Sequence, residues 1–179
     1  ECCFGALPSG DIELLEYSYP IIIHRYTLLE DSGGAGKFRG GSGTAWEVEP
    51  LDRDMTFITF GEGRRIPAVG AAGAKSTMID SKVGRIELQR SNTSQTIRTN
   101  VIETIKPGDT VTNMNPGGGG YGDPFQRPVE KVVWDVKNRL VSLEGAKQDY
   151  GVVIRDASTL EVDQAATRRL RGQTLAAAE

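Results

Sequence analysis

Three arginines lie within or beside glycine-rich turns of this 179-residue chain. Arg39 falls inside the run Asp31-Ser32-Gly33-Gly34-Ala35-Gly36-Lys37-Phe38-Arg39-Gly40-Gly41-Ser42-Gly43, and Arg64 and Arg65 fall inside Gly63-Arg64-Arg65-Ile66-Pro67. A second run, Pro116-Gly117-Gly118-Gly119-Gly120-Tyr121-Gly122-Asp123-Pro124, carries an aromatic ring and a carboxylate. Such runs can present backbone N–H groups in a concave turn and let another chain pass close by. A guanidinium beside them can hold a carboxylate or phosphoryl oxygen by paired hydrogen bonds. The competing use is neutralisation by a nearby acid, with Asp31, Glu62 and Asp123 as the candidates. A flexible spacer would tolerate any polar filler, so fixed residues such as Arg39, Tyr121 and Asp123 point to rigid turns.

Other chemistries fail on composition or spacing. Gly34-Ala35-Gly36-Lys37 is not a nucleotide-binding phosphate loop, because that motif needs Gly at 31 and Ser or Thr at 38, where Asp31 and Phe38 stand. Gly117, Gly119 and Gly122 match a dinucleotide fingerprint literally, but Asp123-Pro124 interrupts the helix that should cradle the phosphates. Gly41-Ser42-Gly43 lacks the full nucleophile elbow, and His24, the only histidine, lies in an apolar β run that suits a packed or hydrogen-bonded side chain. The only cysteines, Cys2 and Cys3, are adjacent and supply neither a disulfide framework nor metal-ligand spacing. Asp31, Glu62, Asp109 or Asp123 could add one oxygen to a metal site, but the nitrogen and sulfur ligands it would need are too few. No complete catalytic set is present, and this chain is expected to bind no cofactor by itself.

The net charge of −3 and a pI near 5.3 disfavour nucleic acid and anionic membranes as partners. No stretch has the length and hydropathy of a membrane span and no signal-peptide pattern opens the chain, so the reading is a soluble, cytoplasmic protein.

The elements that must position these turns are mostly strands. Residues 20–29 read as a strand buried on both faces; 44–49 and 55–60 read as an antiparallel hairpin; 83–88, 94–104 and 110–114 add further strands. Lys106-Pro107-Gly108-Asp109 has the chemistry of a tight turn. Pro128 at a first helical position, with Val129, Val132, Val133 and Val136 at helical spacing, begins an amphipathic helix. Ser142 caps a second helix ending before Gly151, and Asp163 caps a third through Leu170. The fold class is therefore α+β: a mostly antiparallel body, sandwich or barrel-like, over 1–123, then a short helical segment over 124–179 with a frayed tail at 174–179.

Six elements in order, Glu16-Tyr17-Ser18-Tyr19-Pro20, the two glycine runs, Gly63-Arg64-Arg65-Ile66-Pro67, Lys106-Pro107-Gly108-Asp109 and Asp149-Tyr150-Gly151-Val152-Val153, resemble the C-terminal part of the hydantoinase B/5-oxoprolinase family. That family includes the large subunits of ATP-dependent ketone carboxylases and has members several times longer. The resemblance implies a C-terminal piece or separate subunit of an ATP-dependent cyclic amidohydrolase, opening a hydantoin, 5-oxoproline or lactam ring through a phosphorylated carbonyl. The alternatives are a subunit of a ketone carboxylase of acetone or acetophenone type, and a noncatalytic scaffold.

It also implies partners: a hydantoinase A-like ATPase subunit using ATP and Mg, the N-terminal part of the hydantoinase B-like subunit with a divalent metal (Zn or Mn), and a small carbonyl substrate. No metal or catalytic residue carries over by motif, which leaves Arg39, Arg64 and Arg65 as catalytic candidates. Ser32, Gly33, Gly36, Gly40, Gly41, Gly117, Gly118, Gly119, Gly120, Tyr121, Gly122 and Asp123 are expected as structural turns bordering the site, with Tyr121 packed and Asp123 accepting backbone hydrogen bonds. Since the chain matches only part of the family, it is not expected to fold or act alone.

Overall fold

The computed structural model describes residues 10–59, 66–77, 84–91 and 93–176. Arg64, Arg65, Glu62, Cys2 and Cys3 lie outside the described residues.

A short helix α1 (Ile12–Ser18) is followed by seven strands, β1 (Ile21–Leu28), β2 (Thr44–Pro50), β3 (Met55–Thr59), β4 (Arg85–Arg90), β5 (Thr93–Ile97), β6 (Val101–Ile105) and β7 (Thr110–Met114). A 3-10 turn (Pro124–Gln126) then leads into α2 (Val129–Lys137), α3 (Leu143–Tyr150) and α4 (Gln164–Ala176). The expected division of a strand-rich body and a helical C-terminal segment is the one observed.

All strand pairs are antiparallel, in a five-stranded sheet of order β1-β2-β7-β4-β5 and a two-stranded sheet of β3 and β6. Val48, Ile86, Leu88 and Val111 of the large sheet share one core with Ile105, Met55 and Phe57 of the small one. Trp46 and Phe57 meet edge to face across the gap, with ring centroids 6.0 Å apart. The body is thus an open sandwich rather than a closed barrel, since β1 and β5 each pair on one side only among the described strands.

Three local expectations change. Strands β2 and β3 are not a hairpin: residues 51–54 carry the chain from one sheet to the other, and Leu51 N donates to Pro20 O instead. Residues 94–104 are two strands rather than one, because Asn100 takes φ +62° and donates to Thr59 O, turning the chain from the large sheet into the small one. Strand β1 is an edge strand, half-buried at Ile21–Ile23 and exposed from His24 to Leu28, and not a strand covered on both faces. His24 lies at a register shift and its ring Nε2 pairs with Glu49 at 2.7 Å.

The helices follow their capping chemistry. Ser142 Oγ accepts from Gly145 N at the start of α3, and Gly151 closes it at φ +63°. Asp163 Oδ1 accepts from Ala165 N and Ala166 N at the start of α4, which continues past Leu170 to Ala176. Pro128 is the N-cap of α2, one position before the place expected. Helix α1 lay inside the stretch read as β; Asp11, whose Oδ1 accepts from Leu14 N at 3.2 Å, was its legible start. Among the described residues no helix is long and apolar enough to cross a membrane.

Candidate functional site

The two glycine runs, 79 positions apart at Gly40 and Gly119, form one object. Gly34 N donates to Gly118 O at 2.8 Å, and Gly118 N donates to Gly41 O at 2.9 Å. Phe38 and Tyr121 exchange both backbone hydrogen bonds at 2.9 Å. A third segment, residues 68–77, joins from the other side: Ala71 N donates to Gly120 O, Gly122 N to Ala71 O, and Lys75 N to Ala35 O. Three irregular segments are therefore laced into a weave by backbone bonds alone. Those amides already donate to carbonyls, so the concave anion-binding use of the N–H groups of Gly34, Gly40, Gly118, Gly120 and Gly122 is not available.

Close approach explains the composition. A Cβ on Gly40 would fall within 3.0 Å of the Gly118 carbonyl, and one on Gly117 would fall equally close to the Ser32 and Gly41 carbonyls. The cause is backbone crowding and not handedness, because within 117–122 only Gly122 has positive φ, at +75°.

Ser32 pins the first run from inside: its Oγ donates to Leu29 O and accepts from Gly43 N at 2.7 Å, and its carbonyl accepts from Thr77 Oγ1. It is fully buried. Asp123 accepts from Phe125 N at 2.9 Å, as expected of a capping carboxylate. Tyr121, expected to be packed, is 59% exposed and leans on the equally exposed Phe38, with centroids 6.3 Å apart. Its neighbours at 120 and 122 sit in the crowded weave, so the ring is turned to the outside.

Arg39 is occupied. Its Nη1 donates to Gly40 O at 2.8 Å and to Ser42 Oγ at 2.9 Å, and its Nε lies 3.5 Å from Asp135 Oδ1. Among the described residues, the acid that faces it is neither Asp31 nor Asp123 but one from α2, 96 residues on, Glu62 lying outside the described residues. Asp135 is almost wholly buried and also holds Arg127, through Nε at 3.0 Å and Nη2 at 2.8 Å. Arg127 Nη1 in turn donates to Lys37 O at 3.1 Å. This triad ties the first glycine run to the helical segment.

Two further ties were missed. Asp31, at φ +57°, accepts from Ser142 N through Oδ1 at 2.8 Å, joining the start of the run to the start of α3. Lys75 Nζ reaches Asp149 of α3 at 2.5 Å. Ala35 of the run packs in a second core with Val132, Val141, Ala146, Tyr150 and Val152. Tyr150 is buried, its hydroxyl has no hydrogen-bond partner among the described residues, and burial pushes its pKa up to about 12, with Asp135 and Asp149 adding to the rise and Arg127 and Arg39 opposing it. One signal for Asp135 was present in the chain: an acid inside the apolar stripe of α2, three residues after the buried Val132.

The described residues bring no three His, Cys, Asp or Glu side chains together as a metal-ligand group. What their arrangement does is hold an irregular, glycine-built surface rigidly between a β sandwich and a helical segment.

Comparison with known proteins gives that surface a context. The chain is 56% identical over 171 residues to caprolactamase subunit beta of Pseudomonas jessenii, covering 95% of this chain and 29% of that subunit. The crystal structure of the ATP-dependent caprolactamase from the same organism aligns with a TM-score of 0.79 at 53% identity, over 96% of this chain and 29% of the other. A nucleotide-free acetone carboxylase structure aligns with a TM-score of 0.69 at 25% identity, over 92% and 26%. The chain thus spans under a third of the length of these relatives. A profile of the hydantoinase B/oxoprolinase family matches residues 1–124, a stretch that contains the sandwich and both glycine runs; by that match the chain belongs to the hydantoinase B/oxoprolinase family.

Proposed function

We propose that this chain is the C-terminal part of a hydantoinase B-type subunit within an ATP-dependent cyclic amidohydrolase, and that lactams are its substrate class. The observation that carries the reading is the 56% identity to a caprolactamase subunit along 95% of the chain. An acetone carboxylase structure shares the same framework at 25% identity, which makes ketone carboxylation the second outcome to be tested.

An amide oxygen is a poor leaving group and its phosphate ester a good one. In the proposed reaction the carbonyl oxygen takes the γ-phosphoryl group of ATP in a hydantoinase A-like subunit, with Mg, and ADP departs. Water then adds to the activated carbon, the ring C–N bond breaks as the nitrogen takes up a proton and leaves, and a second water hydrolyses the resulting acyl phosphate to the carboxylate and free phosphate. A divalent metal belongs, in this proposal, to the N-terminal part of the subunit. The chain contributes the weave of the glycine runs as a rigid border to the site, in a cytoplasmic complex. Occupation of Arg39 by Asp135, the Gly40 carbonyl and Ser42 Oγ favours a positioning role for it over contact with the activated oxygen.

The test is substrate-stimulated ATP hydrolysis by the full complex, with a panel of lactams, hydantoins and 5-oxoproline, then ketones with bicarbonate. Stimulation by lactams is the expected result. Stimulation by ketones and bicarbonate alone would replace hydrolysis by carboxylation, and no stimulation in either series would refute both.

A further inference from the structure

The segment Glu16-Tyr17-Ser18-Tyr19-Pro20 is tied to the sandwich by hydrogen bonds while both of its aromatic rings stay exposed. Glu16 in α1 accepts from Ile23 N of β1 at 2.6 Å, Ile21 N donates to Tyr19 O at 2.8 Å, and Pro20 O accepts from Leu51 N at 2.9 Å. Asp11 caps the other end of the helix. A seven-residue helix is too short to persist in water on its own bonds, so it normally persists by burying an apolar face. Helix α1 buries no residue at all. Leu14 is 63% exposed, Tyr17 90% and Tyr19 55%, and Leu28 on the adjoining edge strand is 53% exposed. Leu14 and Tyr17, three apart, share one helical face. Exposed apolar and aromatic side chains on one face of a helix that is fixed at both ends are the form of a protein-binding anchor.

We infer that the Leu14–Tyr17 face of α1 is the surface on which the rest of a hydantoinase B-type subunit packs. Two observations select that occupant. The chain aligns along 95% of its length yet with only 29% of the caprolactamase subunit, so in that relative the corresponding stretch is joined to more than twice its own length of polypeptide. Helix α1 also lies inside residues 1–124, the part matched by the family profile, so the exposed face belongs to the shared framework. Helix α1 and its cap carry Asp11, Glu13 and Glu16 and no basic residue, with Glu16 on the side held by Ile23 N. Tyr17 is therefore the contact, and acids at its margin select a neutral or basic surface opposite. The inference rests on the reading that the chain works within such a subunit.

The experiment places the photoreactive residue benzoylphenylalanine at position 17 of the chain in the assembled enzyme, with position 52, an exposed turn of the sandwich, as control. After illumination the crosslinked peptides are identified by mass spectrometry. The expected partner peptide comes from hydantoinase B-type sequence outside the stretch this chain matches, at least tenfold above the yield from position 52. Peptides from the ATPase subunit or from a second copy of this chain would overturn the choice of occupant, and no crosslink above control would show the face to be solvent-exposed in the enzyme and overturn the inference outright. As a second measurement, L14D combined with Y17D should raise at least tenfold the rate at which protease cuts between this stretch and the rest of the assembled subunit, while Y17F leaves it unchanged. Crosslinking does not depend on which substrate is turned over, so its failure is distinguishable from failure of the ATP assay.

Discussion

Asp135 Oδ2 receives both Nε and Nη2 of Arg127, at 3.0 and 2.8 Å, while the other oxygen of the same carboxylate faces Arg39. One buried acid thereby holds two arginines from opposite sides of the 124 boundary between sandwich and helices. Replacing Asp135 by Ala leaves two nearly buried guanidinium groups without their counter-ion, an imbalance that costs about 3–5 kcal/mol. Thermal and urea unfolding of the assembled D135A protein should show a loss of that order, and a change under 1 kcal/mol or so would mean the triad contributes little.

Arg39→Ala should act through the same joint. If Arg39 positions the weave, turnover of R39A falls in step with its folded fraction, and activity per folded enzyme stays within about twofold of the parent. A loss of about a hundredfold in kcat with unchanged unfolding would instead place Arg39 at the developing charge.

Glycine substitutions should divide by crowding and not by position in the run. Gly40→Ala, Gly117→Ala and Gly119→Ala each drive a Cβ into backbone atoms and should cost more than about 1 kcal/mol. Gly41→Ala meets nothing within 4 Å and Gly118→Ala meets only ordinary contact at 3.5 Å, so both should be near neutral. Equal effects at all five positions, read by chemical denaturation, would contradict the weave.

Tyr150 carries a buried hydroxyl with no partner among the described residues and a pKa raised to about 12 from a usual value of 10.0. Between those two pH values the unfolded chain has lost the phenolic proton and the folded chain retains it, so stability falls as pH rises through the window. Tyr150→Phe should remove that part of the decline and be neutral or slightly stabilising at pH 7, because it deletes an unpaired buried polar group. Destabilisation of Y150F by more than about 1 kcal/mol would show that the hydroxyl is bonded, as through a buried water.

Cutting the chain after Asp123 should dissolve more than the helices. It removes Asp135 from Arg39 and Ser142 from Asp31, and strips the helical side of the core from Ala35. Hydrogen exchange at the amides of Gly34, Gly118 and Gly120 should accelerate strongly in the truncated chain; unchanged protection would make 1–123 an independent unit.

Much of this protein was legible in one dimension, where local chemistry decides. Ser142, Gly151 and Asp163 mark helix ends because a capping oxygen or a left-handed residue acts on its nearest neighbours. The strand at 110–114 and the valine stripe of α2 follow from periodicity, and the rigidity of the glycine runs follows from the fixed residues among them. Tertiary structure decided what those elements meet. That β2 and β3 enter different sheets, that Gly40 is crowded by Gly118, that Arg39 finds Asp135 and that Tyr121 faces outward are all long-range pairings. Glycine spacing shows that a backbone must come close, but not whose, because a missing Cβ records an absence of space and leaves no mark of the chain that fills it.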